Sequence, residues 1–401
     1  MREAVNSAAV TFRGNQARHR HGWLRLTPAY SVQLVERLVG ELPARTRVLD
    51  PFCGTGTTLL TCAEQGLSCT TVDLNPFLVW LANTKAREYA SADCTRARTL
   101  VLRMAEASRR AAPRDPWLPP IANIDRWWHR PTQLALGRAF AVLARSQYSP
   151  AVRDLARVAF CRALIGSANV SFGHQSMSFK VNGTLPTSAV ARLLEGAISE
   201  VNEGARVALT KPRAGALLGD ARSLQGSVKQ RRFDAVITSP PYCNRMSYIR
   251  ELRPYMYWLG HLDVPASAGE LDWRAIGGTW GVATSRLTRW QPPEPTARLL
   301  PELVPVLTAI AERSELLARY VERYFSDMAA HLASLRQVLR SGATAAYVIG
   351  NSKFFDVLLP TEQLLALAME RLGFARAHVE TLRTRTSKAE LFEFLVTSVR
   401  R

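Results

Sequence analysis

The spacing of apolar residues along this chain predicts a sheet that is built from two separated stretches of sequence. In the first stretch, a helical spacing over 31–40 is followed by short apolar runs at 46–49 and 68–72, which predict strands. A helix is predicted between them, over 57–65, directly after a glycine-rich turn. Strand, glycine turn, helix and strand in this order predict the start of a doubly wound sheet.

The strand pattern breaks off in mid-chain and resumes later, which divides the sequence into three parts. Residues 1–90 hold the first half of the sheet, behind a polar, basic arm at 1–22 that we expect to be flexible. Residues 91–212 are mostly helical in pattern and rich in arginine. Residues 213–401 hold the second half, with a smaller insertion at about 260–315 that is rich in Trp and Pro.

The second half of the sheet is predicted to end in an antiparallel hairpin at the sheet edge. Its predicted elements are a strand at 233–237, a helix at 316–340, a strand at 345–350, a helix at 361–372 and strands at 375–382 and 391–399. The fold class is therefore α/β, a doubly wound and mostly parallel sheet with a C-terminal antiparallel hairpin and a largely helical insertion.

The composition adds a surface that attracts polyanions. The 401 residues are 47% hydrophobic, which allows a large core, and the net charge is +19 with a pI of about 10.4. Nucleic acid is the usual partner of such a surface, and a basic protein without such a ligand is the alternative. The six cysteines form no CxxC pair or Cys/His metal spacing, so we expect no metal. Without a signal peptide or an apolar run that could span a bilayer, a cytoplasmic, nucleoid-associated protein is expected.

The most informative motif is Thr238-Ser-Pro-Pro-Tyr242, which follows the predicted strand at 233–237. Open α/β sheets bind ligands at the carboxyl ends of their strands, where this motif places a hydroxyl and an aromatic ring. Because the two prolines donate no N–H, their carbonyls are free to accept hydrogen bonds. The motif therefore suits a pocket for an exocyclic NH2 group, with Tyr242 as a stacking face.

A glycine loop at 50–56 follows the first predicted strand. It departs from the dinucleotide motif GxGxxG because Leu59 stands at the third glycine position, and it lacks the Gly-Lys-Ser/Thr of a P-loop. Asp50 would repel a diphosphate but tolerate a sulfonium amino acid, and the glycines let the backbone pass close to a ligand. Asp73, at the end of the second strand, can accept both hydroxyls of a ribose, and a helix N-cap is the alternative role.

These two motifs together carry a resemblance to a known family. The loop at 50–56 resembles the S-adenosylmethionine loop of class I methyltransferases, and Ser239-Pro-Pro-Tyr242 resembles the catalytic tetrapeptide of amino-methylating DNA methyltransferases. The Ser-Pro-Pro-Tyr spelling is typical of the cytosine-N4 branch. The resemblance covers most of the chain outside 90–212 and 260–315. It implies a class I methyltransferase fold with S-adenosylmethionine as cofactor.

The resemblance also implies which residues form the site. Ser239 Oγ and the Pro240 carbonyl would accept hydrogen bonds from the target amine, and Tyr242 would stack on the base, with Pro241 completing the tetrapeptide. Asp220 would accept from the adenine amino group of the cofactor, unless it is only a turn or N-cap residue. The expected cofactor contacts are Pro28, Ala29, Tyr30, Asp50, Pro51, Phe52, Cys53, Gly54, Thr55, Gly56, Asp73, Leu74, Asn75, Asp220 and Ala221.

Double-stranded DNA is the expected partner, with target recognition by the insertion at 91–212. Trp127 lies among arginines and would insert into DNA, with packing in the core as the alternative. A polar loop near His174 would read bases or phosphates, with an ordinary solvated loop as the alternative. The candidate DNA contacts are Arg126, Trp127, Arg130, His174, Gln175, Lys180, Asn244, Arg245 and Tyr248. A cognate restriction endonuclease and the oligomeric state are left open.

The motifs thus favour site-specific methylation of the N4 amine of a flipped-out cytosine, in a restriction-modification or defence system. Three alternatives stay open: an adenine-N6 DNA methyltransferase, an RNA methyltransferase and a non-catalytic DNA-binding subunit. Adenine enzymes usually carry Asp or Asn where Ser239 stands, which favours cytosine. Cys243 is not expected to act as a ring-carbon nucleophile, because Tyr242 separates it from Pro241 and no Glu-Asn-Val motif is present.

Overall fold

A computed structural model shows an α/β protein with one large mixed sheet and a helical body attached to it. The structure describes residues 12–26, 30–111, 114–171, 178–179, 188–210, 215–229, 232–279, 282–385 and 390–401. Five residues that the sequence proposes as ligand contacts lie outside these ranges: Pro28, Ala29, His174, Gln175 and Lys180.

The described strands form one main sheet and two short pairs. The strands are β1 (Arg47–Asp50), β2 (Ser68–Asp73), β3 (Val170–Ser171), β4 (Ser178–Phe179), β5 (Gly215–Leu218), β6 (Phe233–Thr238), β7 (Leu339–Gly350), β8 (Ser352–Phe354), β9 (Val357–Leu359), β10 (His378–Thr384) and β11 (Phe392–Val399). The main sheet has the order β10-β11-β7-β6-β1-β2-β5, and β3/β4 and β8/β9 are the short pairs.

Helices connect these strands and fill the insertions. They are α1 (Val32–Gly40), α2 (Thr57–Glu64), α3 (Pro76–Lys85), α4 (Ser91–Arg109), α5 (Ile124–Trp127), α6 (Arg130–Ala144), α7 (Pro150–Gly166), α8 (Ser188–Arg206), α9 (Leu224–Val228), α10 (Tyr248–Trp258), α11 (Ser267–Arg274), α12 (Val282–Leu287), α13 (Thr296–Leu299), α14 (Leu303–Ala311), α15 (Glu315–Val338) and α16 (Thr361–Arg371).

Only β11 runs against the other strands of the main sheet. It pairs antiparallel with both β7 and β10, whereas the pairs β1/β2, β1/β6, β2/β5 and β6/β7 are parallel. The chain moves outward from β1 through β2 to β5 and then returns to β6, so the strand order reverses between β1 and β6. This is the class I methyltransferase fold, and the predicted fold class with its C-terminal hairpin is confirmed.

Helices bury both faces of the sheet. Successive residues of a strand point to opposite faces and therefore pack against different helices. In β1, Val48 packs with residues of α1 and α2, whereas Leu49 packs with residues of α15. In β6, Ile237 lies in the first of these clusters and Val236 in the second. This two-sided burial explains why the central strands are continuous apolar runs in the sequence.

The residues between α3 and β5 form the helical body. Helices α4, α6, α7 and α8 pack on one another around a core that includes Trp127, Trp128 and Trp258. Trp127 is 1% exposed and stacks on Trp128 with 5.7 Å between the ring centroids. The proposed insertion of Trp127 into DNA is therefore wrong, and the alternative, packing in the core, is what the structure shows.

The basic N-terminal segment is not a flexible arm where the structure describes it. Residues Phe12–Ala17 and His19–Gly22 form 3₁₀ turns, and Arg20 is 2% exposed. The Arg20 guanidinium donates five hydrogen bonds of 2.6–2.9 Å to backbone carbonyls near the C-terminal ends of α3 and α8. The expectation of flexibility is thus wrong for 12–22, since this arginine satisfies helix-end carbonyls that have no partner within their helices.

The described residues contain neither a membrane-spanning helix nor a cluster of metal ligands. No helix in these ranges is long and apolar enough to cross a bilayer. Within the same ranges, no three His, Cys, Asp or Glu side chains cluster as ligands for a metal ion.

Candidate active site

A cavity of about 240 Å³ lies at the carboxyl ends of β1, β2 and β6, where the strand order reverses. Residues of the glycine loop and of the Ser-Pro-Pro-Tyr motif both line it. The proposed site residues that line it are Tyr30, Pro51, Phe52, Cys53, Gly54, Thr55, Asp73, Leu74, Asn75, Asp220, Ala221, Ser239, Pro240, Pro241, Tyr242, Asn244 and Tyr248. Residues far apart in sequence thus form one site.

The glycine loop is held in a compact shape by the residues around it. Gly54 and Gly56 have φ angles of 49° and 77°, in the left-handed region that glycine adopts without strain. A Cβ atom on Gly56 would lie 2.8 Å from the Cβ of Ala82, so only glycine lets α3 approach the loop. Beneath the loop, the buried Lys85 ammonium donates to the Thr55 carbonyl at 2.9 Å.

Asp50 supports the loop from behind and does not reach the cavity. Its side chain is fully buried, and its Oδ1 accepts hydrogen bonds from Thr238 Oγ1 at 2.6 Å and from the Phe52 N–H at 3.1 Å. Burial raises the pKa of Asp50 to about 6. The expected direct contact of Asp50 with the cofactor is therefore corrected: this carboxyl group ties the glycine loop to the end of β6.

Asp73 faces the cavity with both carboxylate oxygens fixed by backbone N–H groups. Oδ2 accepts from Gly54 at 2.9 Å and Oδ1 accepts from Asn75 at 2.8 Å. The N-cap of α3 is Asn75, whose side chain accepts a hydrogen bond from the Phe77 N–H. Asp73 is therefore not the helix N-cap that the sequence left open as its alternative role. Each oxygen keeps a lone pair, so the donor set suits the two hydroxyls of a ribose.

The affinity for S-adenosylmethionine is expected to fall as the pH decreases, because burial raises the pKa of Asp73 to about 7. The ionised carboxylate accepts both ribose hydroxyls, and below pH 7 most molecules carry the protonated form. The Kd should be about tenfold higher at pH 6 than at pH 8, following the ionised fraction. Calorimetry measures the Kd for S-adenosylmethionine against pH for the wild type and for Asp73→Asn. The variant should bind weakly, and its Kd should change less with pH. An equal change of Kd with pH in both proteins would contradict the role of Asp73 as the ribose acceptor.

Asp220 shows the N-cap role and also lines the cavity. Its Oδ1 accepts from the Arg222 N–H at 3.0 Å, and its Oδ2 pairs with the Arg222 guanidinium at 2.7 Å. Arg222 is held in turn by Asp327 at 2.8 Å and by the carbonyl of Arg274 at 2.7 Å. Contact between Asp220 and the cofactor adenine stays a proposal. The adenine amino group would donate to lone pairs of the Asp220 carboxylate that do not bind Arg222.

The Ser-Pro-Pro-Tyr backbone is fixed by three hydrogen bonds. Tyr324 Oη donates to the Pro241 carbonyl at 2.8 Å, Asn244 N–H donates to the Tyr242 carbonyl at 2.8 Å, and Tyr242 N–H donates to Tyr248 Oη at 3.5 Å. The Pro241 carbonyl is thus occupied, contrary to the expectation that both proline carbonyls are free. Among the residues described, none donates to the Pro240 carbonyl, which is the acceptor proposed for the target amine.

The C-terminal hairpin positions the Tyr242 side chain. Tyr242 Oη donates to Glu393 Oε1 at 2.8 Å, and Glu393 Oε2 accepts from Arg383 Nε at 2.7 Å. Glu393, Arg383 and Arg385 all line the cavity, and sequence reasoning missed them. The one sequence signal for a site residue here was Glu393, an acidic residue inside the apolar strand β11. This residue is only 8% exposed.

Two further observations complete the site. The segment Arg274-Ala-Ile276 of the second insertion lines the cavity and carried no sequence signal. Cys243 is fully buried, which raises the pKa of its thiol, and it does not line the cavity. The rejection of Cys243 as a nucleophile therefore agrees with the geometry.

The chain is similar to known methyltransferases over most of its length. It is 21% identical over 420 residues to the type II methyltransferase M.AvaI of Nostoc sp., covering 93% of this chain and 83% of that protein. It is 22% identical over 430 residues to the type II methyltransferase M.BsoBI of Geobacillus stearothermophilus, covering 96% and 84%. A family model described as D12 class N6 adenine-specific DNA methyltransferase matches residues 32–111. Among solved structures, TrmN from Thermus thermophilus shows 11% identity and a TM-score of 0.33, covering 97% of this chain and 52% of that one.

Proposed function

We propose that this protein transfers a methyl group from S-adenosylmethionine to the N4 amine of a flipped-out cytosine in double-stranded DNA. The protein is a DNA methyltransferase of the restriction-modification type that uses S-adenosylmethionine, and its target base is inferred from the site. The observation that carries the inference is the shared cavity, which is lined by Asp73 and also by Ser239, Pro240 and Tyr242. A cognate endonuclease for the same DNA site belongs to the proposal.

The chemistry of an exocyclic amine explains why these groups are needed. The lone pair of the cytosine N4 atom is delocalised into the ring, so the amine becomes nucleophilic only as it turns towards sp3 geometry. Ser239 Oγ and the Pro240 carbonyl would accept its two hydrogens and stabilise the positive charge that develops at nitrogen. Tyr242 would stack on the extruded base, a contact worth about 1–3 kcal/mol, against the few kcal/mol that base flipping requires.

The DNA would lie across the mouth of the cavity. Arg245 and Arg250 are exposed and flank the cavity-lining Tyr248 in sequence, so they could bind phosphates near the flipped base. Arg126 and Arg130 are also exposed, and Arg126 lies over the Phe179 ring at 4.4 Å. These arginines stay our candidates for backbone contacts, and Trp127 no longer belongs with them.

Adenine N6 is the second candidate base, and the match to the D12 class family model favours it. That match ends at residue 111, before the Ser-Pro-Pro-Tyr motif begins at 239, so it covers the cofactor half and not the tetrapeptide. The residues that would hold the amine therefore lie outside the matched range. The amino-acid sequence of the tetrapeptide, Ser-Pro-Pro-Tyr, leads us to prefer cytosine as the target base.

Transfer of a labelled methyl group from S-adenosylmethionine tests the proposed polymer and base together. Duplex DNA and structured RNA are offered separately, and each product is digested to nucleosides. We expect label in DNA, in N4-methylcytosine, and a strongly reduced rate of labelling with the Tyr242→Ala variant. Label in N6-methyladenine would select the second candidate, and label in RNA alone would select an RNA methyltransferase. Cofactor binding without transfer to either polymer would indicate a non-catalytic subunit.

A further inference from the structure

We propose that Arg385 reads the O2 edge of the target base and so selects cytosine over adenine, an inference that rests on the proposed function. Arg385 follows β10 and lines the same cavity as Ser239 and Tyr242. Its guanidinium carbon lies 5.6 Å from the centroid of the Tyr242 ring. A base stacked on that ring is therefore within reach of the same guanidinium.

Arg385 is held in place by the end of β7. Its Nη1 donates to the Asn351 carbonyl at 3.0 Å, and its backbone N–H donates to the Leu391 carbonyl at 2.6 Å. Asn351 is 3% exposed and anchors the hairpin, because its side chain donates to the Glu390 carbonyl and accepts from the Phe392 N–H. The guanidinium is thus positioned before any base enters, which lowers the cost of ordering it on binding.

Gly350 brings Arg385 and Tyr242 to the same place. A Cβ atom on Gly350 would lie 3.0 Å from Arg385 Nη1 and 3.0 Å from Tyr242 Cε2. Glycine therefore lets both side chains pack against the backbone at the end of β7. The stacking face and the guanidinium are fixed relative to each other at the point where the sheet meets the cavity.

The charge of Arg385 is available to a ligand. Arg383, two residues earlier, is paired with Glu393, whereas no carboxylate of the described residues lies within ion-pair distance of Arg385. An arginine carries five N–H donors, and the Asn351 carbonyl accepts from only one nitrogen. The nitrogens beyond that bond can donate to an acceptor on the base.

Cytosine and adenine differ at the position such a donor would read. With the amine held by Ser239 and Pro240, cytosine presents N3 and then the O2 acceptor along the same edge. Adenine presents N1 and then a C2–H, which accepts no hydrogen bond. If Arg385 donates at that position, its N–H group finds an acceptor on cytosine but stays unpaired when adenine is bound. Enzymes reject a substrate analogue that lacks a hydrogen-bond partner for a buried polar group of the site.

The experiment compares methyl transfer to duplexes that carry cytosine or adenine at the target position of the site methylated in cells. We expect Arg385→Met to lower kcat/KM on cytosine about tenfold or more, with little change on adenine, so that the cytosine-to-adenine ratio collapses. Arg385→Lys, which keeps the charge, should recover part of the ratio. Arg376→Met is the matched control, because it removes an exposed arginine before the opposite end of β10.

Each outcome supports or overturns the inference. A wild type that makes N4-methylcytosine, combined with an unchanged base ratio in Arg385→Met or an equal loss on both bases, would overturn the reading role alone. A wild type that makes N6-methyladenine would overturn the proposed function and the inference with it. Cofactor affinity measured by calorimetry on each variant shows that the fold is intact, since Arg385 belongs to the base side of the cavity.

Discussion

Replacement of Tyr242 by alanine is expected to lower methyl transfer about 5- to 150-fold while leaving the affinity for S-adenosylmethionine close to that of the wild type. The magnitude follows from the stacking of one base on an aromatic side chain, about 1–3 kcal/mol. Tyr242 lines the base side of the cavity, whereas Asp73 lies at the glycine loop, where the cofactor ribose is proposed to bind. Loss of the ring should therefore weaken binding of the target base without weakening binding of the cofactor.

Tyr242→Phe is the matched variant, because it keeps the ring and removes the hydrogen bond to Glu393. We expect a smaller loss of turnover than with alanine, since the phenyl face still stacks on the base. Single-turnover transfer and calorimetric cofactor affinity on both variants measure the two effects. An equal loss of cofactor affinity and turnover in Tyr242→Ala would show that the cavity is not divided in this way.

Replacement of Arg20 by methionine is expected to destabilise the protein by about 3 kcal/mol or more. The side chain is 2% exposed and donates to the carbonyls of Lys85, Arg87, Gly204, Ala205 and Val207. Hydrogen bonds from charged donors contribute about 1.5–3 kcal/mol each, and their loss leaves buried carbonyls without partners. The midpoint of urea unfolding measures the change.

Arg18→Met provides the control two residues away. Arg18 forms an ion pair with Glu36 at 2.7 Å, with side chains that are 42% and 32% exposed, so its loss should cost less than about 1 kcal/mol. Equal unfolding midpoints for the two variants would contradict the view that Arg20 joins the N-terminal segment to α3 and α8. A weakened Arg20 variant with normal cofactor affinity would locate the effect in stability and not in the cavity.

The sequence predicted most of the sheet because local patterns carry that information. Apolar runs that end at Asp50, Asp73 and Thr238 mark strands whose carboxyl ends meet in the cavity, and the late pair of strands forms the predicted hairpin. The motif at 50–56 and the tetrapeptide have distinctive residues in sequence, so their place beside the cavity followed from the parallel sheet.

Tertiary packing decided what the sequence could not predict. Arg20 has the composition of a flexible basic arm, and its burial depends on helix ends whose residues are more than 60 positions away. Trp127 has arginine neighbours in sequence, but its ring meets Trp128 in the helical core. Arg385 and Glu393 reach the cavity only because β11 is inserted beside β7, a pairing between distant segments.

The most direct test of the central claim is mass spectrometry of nucleosides from the DNA of cells that express the protein. We expect N4-methylcytosine with the wild type, and a clearly lower level of it with Tyr242→Ala. N6-methyladenine without N4-methylcytosine would contradict this expectation, because the Ser239 and Pro240 acceptors would then hold a different base.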